Sequence, residues 1–187
     1  LGVLSRLRGD IEGAQELLLD AIDLWKKHGD RTECGKTILE IGCCYRLEEQ
    51  SEEATSIYKQ ALETLDESDN FRGIVYLALG HVCLSCGEDN EAVQHYERGY
   101  ELLLACYGAD DMKTGNASRS LGLAKYLLNE GDEAMAYLHE FVRVCEMNGE
   151  KYNTRIDYFV LALMLLSDIY KAKEGIEEAS KILSVAR

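Results

Sequence analysis

The sequence contains no proline. Because proline lacks a backbone N–H and its ring clashes with the preceding helical turn, its absence removes the strongest interruption to helices from all 187 residues. The frequent Ala, Leu and Glu residues are good helix formers. The composition therefore predicts an all-α protein that is helical nearly throughout and has no strands.

Long apolar runs and basic residues are also scarce. The longest apolar run is FVLALMLL, from Phe159 to Leu166, whereas a helix that spans a membrane needs about 20 apolar residues. There are 20 Lys and Arg residues against 34 Asp and Glu residues, which gives a net charge of −14. A nucleic-acid surface needs a basic stripe, and an anionic membrane repels an acidic protein. We therefore expect protein or peptide partners, with no nucleic acid and no membrane.

The seven cysteines form no disulfide framework of the kind found in small secreted domains. An odd number of cysteines in helical segments is typical of free thiols, so we expect a cytoplasmic protein. Cys83 and Cys86 form a CxxC, but a zinc site needs a second pair, and Cys83 is predicted to be a buried thiol. The four histidines are dispersed and no glycine-rich phosphate loop precedes a helix. The sequence predicts no metal, no cofactor and no enzymatic activity.

A fixed spacing between small residues recurs along the chain. Glycine precedes alanine by twelve residues four times, and a large apolar residue follows four residues after the alanine. The glycines are Gly2, Gly42, Gly80 and Gly122, the alanines Ala14, Ala54, Ala92 and Ala134, and the large residues Leu18, Tyr58, Tyr96 and Leu138. A fifth copy has Ser167, Ala179 and Leu183. Glycine and alanine let two antiparallel helices approach closely, so the spacing predicts about five antiparallel helix pairs.

This pattern, clearest in LGHVCLSCGEDNEAVQHY from Leu79 to Tyr96, resembles the tetratricopeptide repeat family over essentially the whole chain. The segment from His28 to Gly42 is similar to a linker and helix of Pins/LGN-type adaptors, and Tyr107 to Gly122 is similar to the kinesin light chain linker. The four glycines and Ser167 are successively 40, 38, 42 and 45 residues apart, against about 34 in the standard repeat, which indicates the longer-period branch.

The resemblance implies a right-handed α-solenoid. A single array is expected, with repeats at roughly 1–31, 32–70, 71–111, 112–152 and 153–187, as part of a longer protein. Members of this family bind extended or helical peptides in a concave groove lined by the first helix of each repeat. Carried onto this register, the groove residues are predicted to be Arg6, Lys36, Leu39, Glu40, Cys43, Arg46, Leu77, His81, Leu84, Asn116, Arg119, Leu123, Tyr126, Met164, Asp168 and Lys171.

The charge of these positions differs from that of the rest of the chain. Five of the predicted groove residues are basic and two are acidic, although the chain as a whole carries −14. A basic groove in an acidic surface would attract an acidic segment with apolar anchors. The favoured hypothesis is therefore a protein-interaction scaffold or adaptor. The alternatives are a structural subunit packed permanently in a large assembly, and a peptide-sensing regulatory domain of a larger protein. The oligomeric state stays open.

Overall fold

The computed structural model describes residues 2–7, 10–149, 156–173, 179 and 181–182. These described residues form nine α-helices and no strand, which confirms the expected all-α class. The helices are α1 (Gly2–Leu7), α2 (Ile11–His28), α3 (Arg31–Leu47), α4 (Ser51–Thr64), α5 (Phe71–Ser85), α6 (Asp89–Tyr107), α7 (Met112–Leu127), α8 (Gly131–Asn148) and α9 (Ile156–Ala172).

The helices belong to two compact units, residues 1–95 and residues 96–187, whose boundary lies within α6. In unit 1, α1 packs on α2, α3 packs on α2 and α4, and α5 packs on α3 and α4. Its core includes Tyr58, Leu65, Val75 and Leu79. In unit 2, α7 packs on α8, and α9 packs on both. The core of that unit is formed around Leu138, Phe141, Val144 and Leu166.

Aspartate side chains define where three of the helices begin. The carboxylate of Asp30 accepts the N–H of Glu33 at 2.9 Å at the start of α3, and that of Asp111 accepts the N–H of Lys113 at 2.7 Å at the start of α7. Asp10 caps α2 in the same way. Each bond satisfies an N–H group that has no partner within its own helix. Residues 29–30 and 108–111 form the turns that precede α3 and α7.

Three of the four predicted glycines lie at close helix crossings. A Cβ built on Gly42 would lie 2.3 Å from Cε1 of Tyr58, and one on Gly122 would lie 2.9 Å from Cγ of Leu138. Gly2 meets Leu18 in the same way, at 2.8 Å. Contacts under 3.0 Å leave no room for a side chain, so the register is confirmed in these three repeats. In the fifth repeat Ser167 and Ala179 are both buried, whereas Leu183 lies outside the described residues.

A second close crossing was not predicted from the sequence. Gly35 and Gly115 lie seven residues before Gly42 and Gly122. A Cβ on Gly35 would lie 2.4 Å from Leu65, and one on Gly115 would lie 2.9 Å from Val144. Seven residues are about two helical turns, so each hairpin has a close contact at both levels. The helices extend past the first crossing to reach the second, which accounts for repeats of about 40 residues instead of about 34.

Candidate peptide-binding surfaces

The predicted groove residues lie on α1, α3 and α5 in unit 1 and on α7 and α9 in unit 2. In unit 1 two charged residues of the set, Arg6 and Glu40, bond to each other. Nη2 of Arg6 lies 2.7 Å from Oε2 of Glu40, and Nε of Arg6 donates to the same oxygen at 3.1 Å. This ion pair connects α1 to α3. Their charges therefore offset each other before any ligand arrives.

The next basic residue of unit 1, Lys36, also has partners within the chain. Its Nζ lies 2.6 Å from Oε1 of Glu33, one turn earlier on α3. The same ammonium lies 4.2 Å from the ring centroid of Phe71 at the start of α5, which is a cation–π contact. Lys36 thus contributes to packing between α3 and α5. The sequence offered a signal, because Glu33 precedes Lys36 by three residues.

The apolar members of the set in unit 1 are largely internal. Leu39 and Leu77 are buried, whereas Leu84 and His81 are half-buried. The Tyr58 hydroxyl donates to Sγ of Cys43 at 3.6 Å. Burial raises the pKa of Tyr58, with smaller contributions from Cys43, and the nearby Arg46 guanidinium partly offsets the rise. Because Leu39 and Leu77 are buried, they offer little surface to a ligand, whereas the half-buried Leu84 offers more.

A cleft of about 530 Å³ lies beside the turn between α3 and α4 in unit 1. It is lined by Arg46, Glu49, Ser51, His81 and Ser85, with the last two contributed by α5. Arg46 is exposed, and within the described part of the chain no carboxylate oxygen lies within 4.0 Å of its guanidinium. The cleft, which we call the Arg46 cleft, brings a cation, a carboxylate, an imidazole and two hydroxyl groups to one place.

In unit 2 the predicted residues have different surroundings. Arg119 is only 9% exposed, and its guanidinium carbon lies 4.2 Å from the ring centroid of Tyr158 on α9. Lys171 pairs with Asp168 at 3.3 Å. Asn116, Leu123 and Tyr126 are half-buried on α7, and Met164 is exposed on α9. The basic residues of this unit therefore already have partners, and the apolar residues are the more accessible.

Unit 2 also has a cleft, of about 560 Å³, beside the turn between α7 and α8. We call it the Tyr126 cleft, and it is lined by Tyr126, Leu127, Asn129, Gly131, Asp132, Asp168, Ile169, Ala172 and Lys173. Every residue of the Arg46 cleft has a counterpart here at the same place in the repeat, with Tyr126 in place of Arg46 and Asp168 in place of His81. The repeat thus forms a cleft at the same place twice. In unit 2 the less polar Tyr126, Gly131 and Ala172 replace Arg46, Ser51 and Ser85.

The thiols were predicted correctly in one respect and wrongly in another. All seven cysteines are free. Cys83 is half-buried and not buried as expected, because it lies in the last turn of α5, near the turn where Cys86 is exposed. Burial raises the pKa of Cys83 to about 11, with a further contribution from Glu88. Among the described residues, no group of three or more His, Cys, Asp or Glu side chains could hold a metal ion.

Antiparallel helix pairs that pack through small residues define the class of this protein, an all-α solenoid. A family model described as "Tetratricopeptide repeat" matches residues 37–72 and 75–104, so these segments carry repeats of that family and the resemblance is confirmed. No curated protein sequence gives a significant match. None of the described helices combines the length and apolar character that crossing a bilayer requires.

Several solved structures share this fold. BtubC (BKLC) from P. vanneervenii is 16% identical, with a TM-score of 0.86 over 100% of this chain and 75% of that chain. A Podosopora anserina putative kinesin light chain with nearly identical TPR-like repeats is 18% identical, with a TM-score of 0.72 over 100% and 90%. YrrB, described as a TPR protein with an unusual peptide-binding site, is 20% identical, with a TM-score of 0.62 over 99% and 80%. At these identities the likeness establishes the fold alone.

Proposed function

We propose that this chain is a protein-interaction scaffold or adaptor that binds a segment of a partner protein in the cytoplasm. Tetratricopeptide repeat proteins bind protein or peptide partners, and the structurally similar YrrB is described as having a peptide-binding site. Seven free cysteines support a reducing compartment. Binding, without a catalytic step, is the proposed biochemistry, as is general for proteins of this family.

The proposed ligand is an acidic segment with apolar anchors, and its acidic group is assigned to the Arg46 cleft. The observation that carries this assignment is the exposed Arg46 guanidinium, which has no described carboxylate within ion-pair distance. Arg6, Lys36 and Lys171, by contrast, already pair with Glu40, Glu33 and Asp168. A carboxylate of the ligand would gain charge-assisted hydrogen bonds from Arg46, with the Ser51 hydroxyl as a further donor.

The apolar anchors of the ligand require side chains that retain accessible surface. Leu84 supplies such surface in unit 1, the unit that contains the Arg46 cleft. The buried Leu39 and Leu77 are assigned no contact with the ligand. The acidic surface elsewhere on the chain, which has a net charge of −14, would repel acidic segments that miss the cleft.

The test begins with a pull-down that uses the intact chain and is read by mass spectrometry, followed by mapping of the bound segment. Binding of that segment is then measured by calorimetry with the wild type, Arg46→Glu and Lys59→Glu. Lys59 is exposed on α4 and lies outside the cleft, so its reversal changes the total charge equally. We expect Arg46→Glu to weaken binding by about tenfold or more and Lys59→Glu by about twofold at most.

Two results would overturn this proposal. One is a bound segment that proves to be basic. The other is equal affinity of the wild type and Arg46→Glu, in a variant whose circular dichroism spectrum shows unchanged helix content. Loss of affinity in Arg46→Glu and Lys59→Glu to the same degree would also contradict it, because the effect would then come from total charge and not from the cleft.

A further inference from the structure

The last turn of α5 carries two cysteines on one side of the helix. Cys83 and Cys86 are three residues apart, a spacing at which helical side chains are neighbours with Cβ atoms about 5–6 Å apart. Cys83 is half-buried and Cys86 is exposed, so both thiols retain contact with solvent. We call these two residues the α5 thiol pair. Two neighbouring thiols with solvent access are the groups from which a disulfide forms.

Hydrogen bonds tighten the turn that holds the α5 thiol pair. The N–H of Cys86 donates to the carbonyl oxygen of Val82 at 3.0 Å and to that of Cys83 at 3.1 Å. The N–H of Gly87 donates to the carbonyl oxygen of Leu84 at 3.2 Å. Bonds between residues three apart are those of a 3₁₀ turn, in which side chains at such positions eclipse. Because the Cβ atoms of a disulfide lie about 3.5–4.5 Å apart, this turn favours the closer approach that the bond requires.

The backbone just beyond the thiol pair has room to adjust. Cys86 is the C-cap residue of α5. Gly87 follows with φ of 77°, and no atom of the described residues lies within 4 Å of a Cβ built on it. The small shift that closes a disulfide would therefore occur at the end of one helix, where the chain meets open space.

The other cysteines near these positions lack this arrangement. Cys43 and Cys44 are consecutive on α3, and consecutive helical side chains do not face each other. Cys44 is fully buried, and Sγ of Cys43 accepts a hydrogen bond from the Tyr58 hydroxyl at 3.6 Å. Cys106 on α6 is exposed, but no other cysteine lies within four residues of it in the sequence. Cys106 is therefore a matched control for the exposed thiol of the pair.

We propose that Cys83 and Cys86 form a reversible disulfide by exchange with a small-molecule disulfide such as oxidised glutathione. The Cys86 thiolate attacks one sulfur of the reagent, which releases one glutathione thiolate and leaves the other glutathione bound to Cys86. The Cys83 thiolate then attacks Sγ of Cys86 and releases the second glutathione. The protein gives up two electrons and two protons, and the reagent takes them up as two molecules of reduced glutathione.

The surroundings of the two thiols set the order of these steps. Cys86 is exposed and meets the reagent first. Burial, followed by the nearby Glu88, raises the pKa of Cys83 to about 11, so this thiol is almost wholly protonated near neutral pH. Its attack on Cys86 is intramolecular, which compensates for the small fraction of thiolate. Cys86 is therefore the attacking thiol, and Cys83 is the thiol that closes the bond.

The α5 thiol pair adjoins the Arg46 cleft. Ser85 lies between the two cysteines in the sequence and lines that cleft. Oxidation of the pair would therefore take place at the border of the cleft. The inference does not depend on the proposed function, because the reaction needs only the two thiols and the reagent.

Glutathione exchange read by mass spectrometry tests this site. The reduced chain is incubated with excess oxidised glutathione at neutral pH and quenched with acid, and its peptides are mapped after the remaining thiols have been alkylated. We expect Cys86 in a disulfide with Cys83 and without glutathione. Cys106 should keep one glutathione, because no neighbouring cysteine displaces it. Dithiothreitol should restore all three thiols.

Two single substitutions separate the steps. In Cys83→Ser we expect glutathione to remain on Cys86. In Cys86→Ser we expect Cys83 to react about tenfold or more slowly than Cys86 does in the wild type, because its thiol is mostly protonated. Serine is close to cysteine in size, so circular dichroism should show unchanged helix content in both variants. Three results in the folded wild type would overturn the proposal: glutathione retained on Cys86, a Cys86 that stays reduced after Cys106 has reacted, or pairing of Cys86 with a cysteine other than Cys83.

Discussion

Glu49 and Asn129 occupy the same position in the turn between the two helices of their repeats, and both have φ of 61°. Gly87 lies at the corresponding position of the intervening repeat, with φ of 77°. The turn therefore requires a residue in the left-handed conformation, which glycine and asparagine adopt readily and which glutamate adopts only at a cost in free energy. Glu49 also lines the Arg46 cleft. A strained residue at a cleft is a common feature of binding sites.

Replacing Glu49 with glycine should stabilise the protein. The left-handed conformation costs a non-glycine residue about 1–2 kcal/mol, whereas glycine loses roughly 0.5–1 kcal/mol more entropy on folding. We expect a net gain of about 0.5–1 kcal/mol in the free energy of unfolding, measured by urea denaturation. Asn129→Gly is the matched control and should gain less, because asparagine adopts this conformation readily. Equal gains at both positions, or a loss in Glu49→Gly, would contradict the strain.

Replacing Gly42 with alanine should destabilise unit 1. The new methyl group would lie 2.3 Å from Cε1 of Tyr58, a fully buried ring that cannot move without displacing the core. Overpacking of this kind costs about 1–3 kcal/mol. Gly131→Ala is the control, because its methyl group would lie 3.6 Å from Ile169, an ordinary contact. Denaturation curves should show a loss only in Gly42→Ala, and a similar stability of the two variants would argue against the close crossing.

The pKa of Tyr100 predicts how stability changes at alkaline pH. Its hydroxyl donates to Glu140 at 3.0 Å. Burial, followed by the hydrogen bond to Glu140, raises the pKa from 10.0 to about 12. A group whose folded pKa is raised contributes stability that is complete below the unfolded pKa and lost as pH rises to the folded value. The contribution of Tyr100 should therefore disappear between pH 10 and about 12.

Tyr100→Phe makes this contribution measurable. The wild type should be more stable than Tyr100→Phe at pH 8, and the difference between their free energies of unfolding should shrink as pH rises from 10 to 12. Urea denaturation at a series of pH values gives this difference directly. A difference that stays constant over the whole range would show that the hydroxyl does not titrate differently in the folded state.

The helix pairs were predictable because their constraint is local and repeated. Gly42 and Ala54 are close in sequence, and the same spacing returns at Gly122 and Ala134. A single steric requirement therefore leaves the same pattern in the sequence several times. The crossing at Gly35 was missed because its partner Leu65 is 30 residues away and differs in type from its counterpart Val144. No fixed residue type marks that contact.

The charge of the candidate surface was less predictable because it depends on side chains that meet only after folding. Arg6 reaches Glu40 across two helices, and Arg119 meets Tyr158 on another helix. When the basic and acidic groove positions are counted from the sequence, both arginines are treated as available for a ligand. The pairs of Lys36 with Glu33 and of Lys171 with Asp168 could have been found from their spacing of three residues. The exposed Arg46 could not be distinguished from the others by sequence.

The two clefts have a consequence for how this protein acquires new partners. Their shape is set by turns and by crossings such as that of Gly42 with Tyr58, whereas their lining is set by other positions, such as Arg46 in one and Tyr126 in the other. Substitutions at an exposed lining position such as Arg46 can therefore accumulate at little cost in stability, since Arg46 contributes to no crossing. Duplication followed by divergence of one cleft at a time would broaden the range of ligands while the ancestral cleft keeps its own.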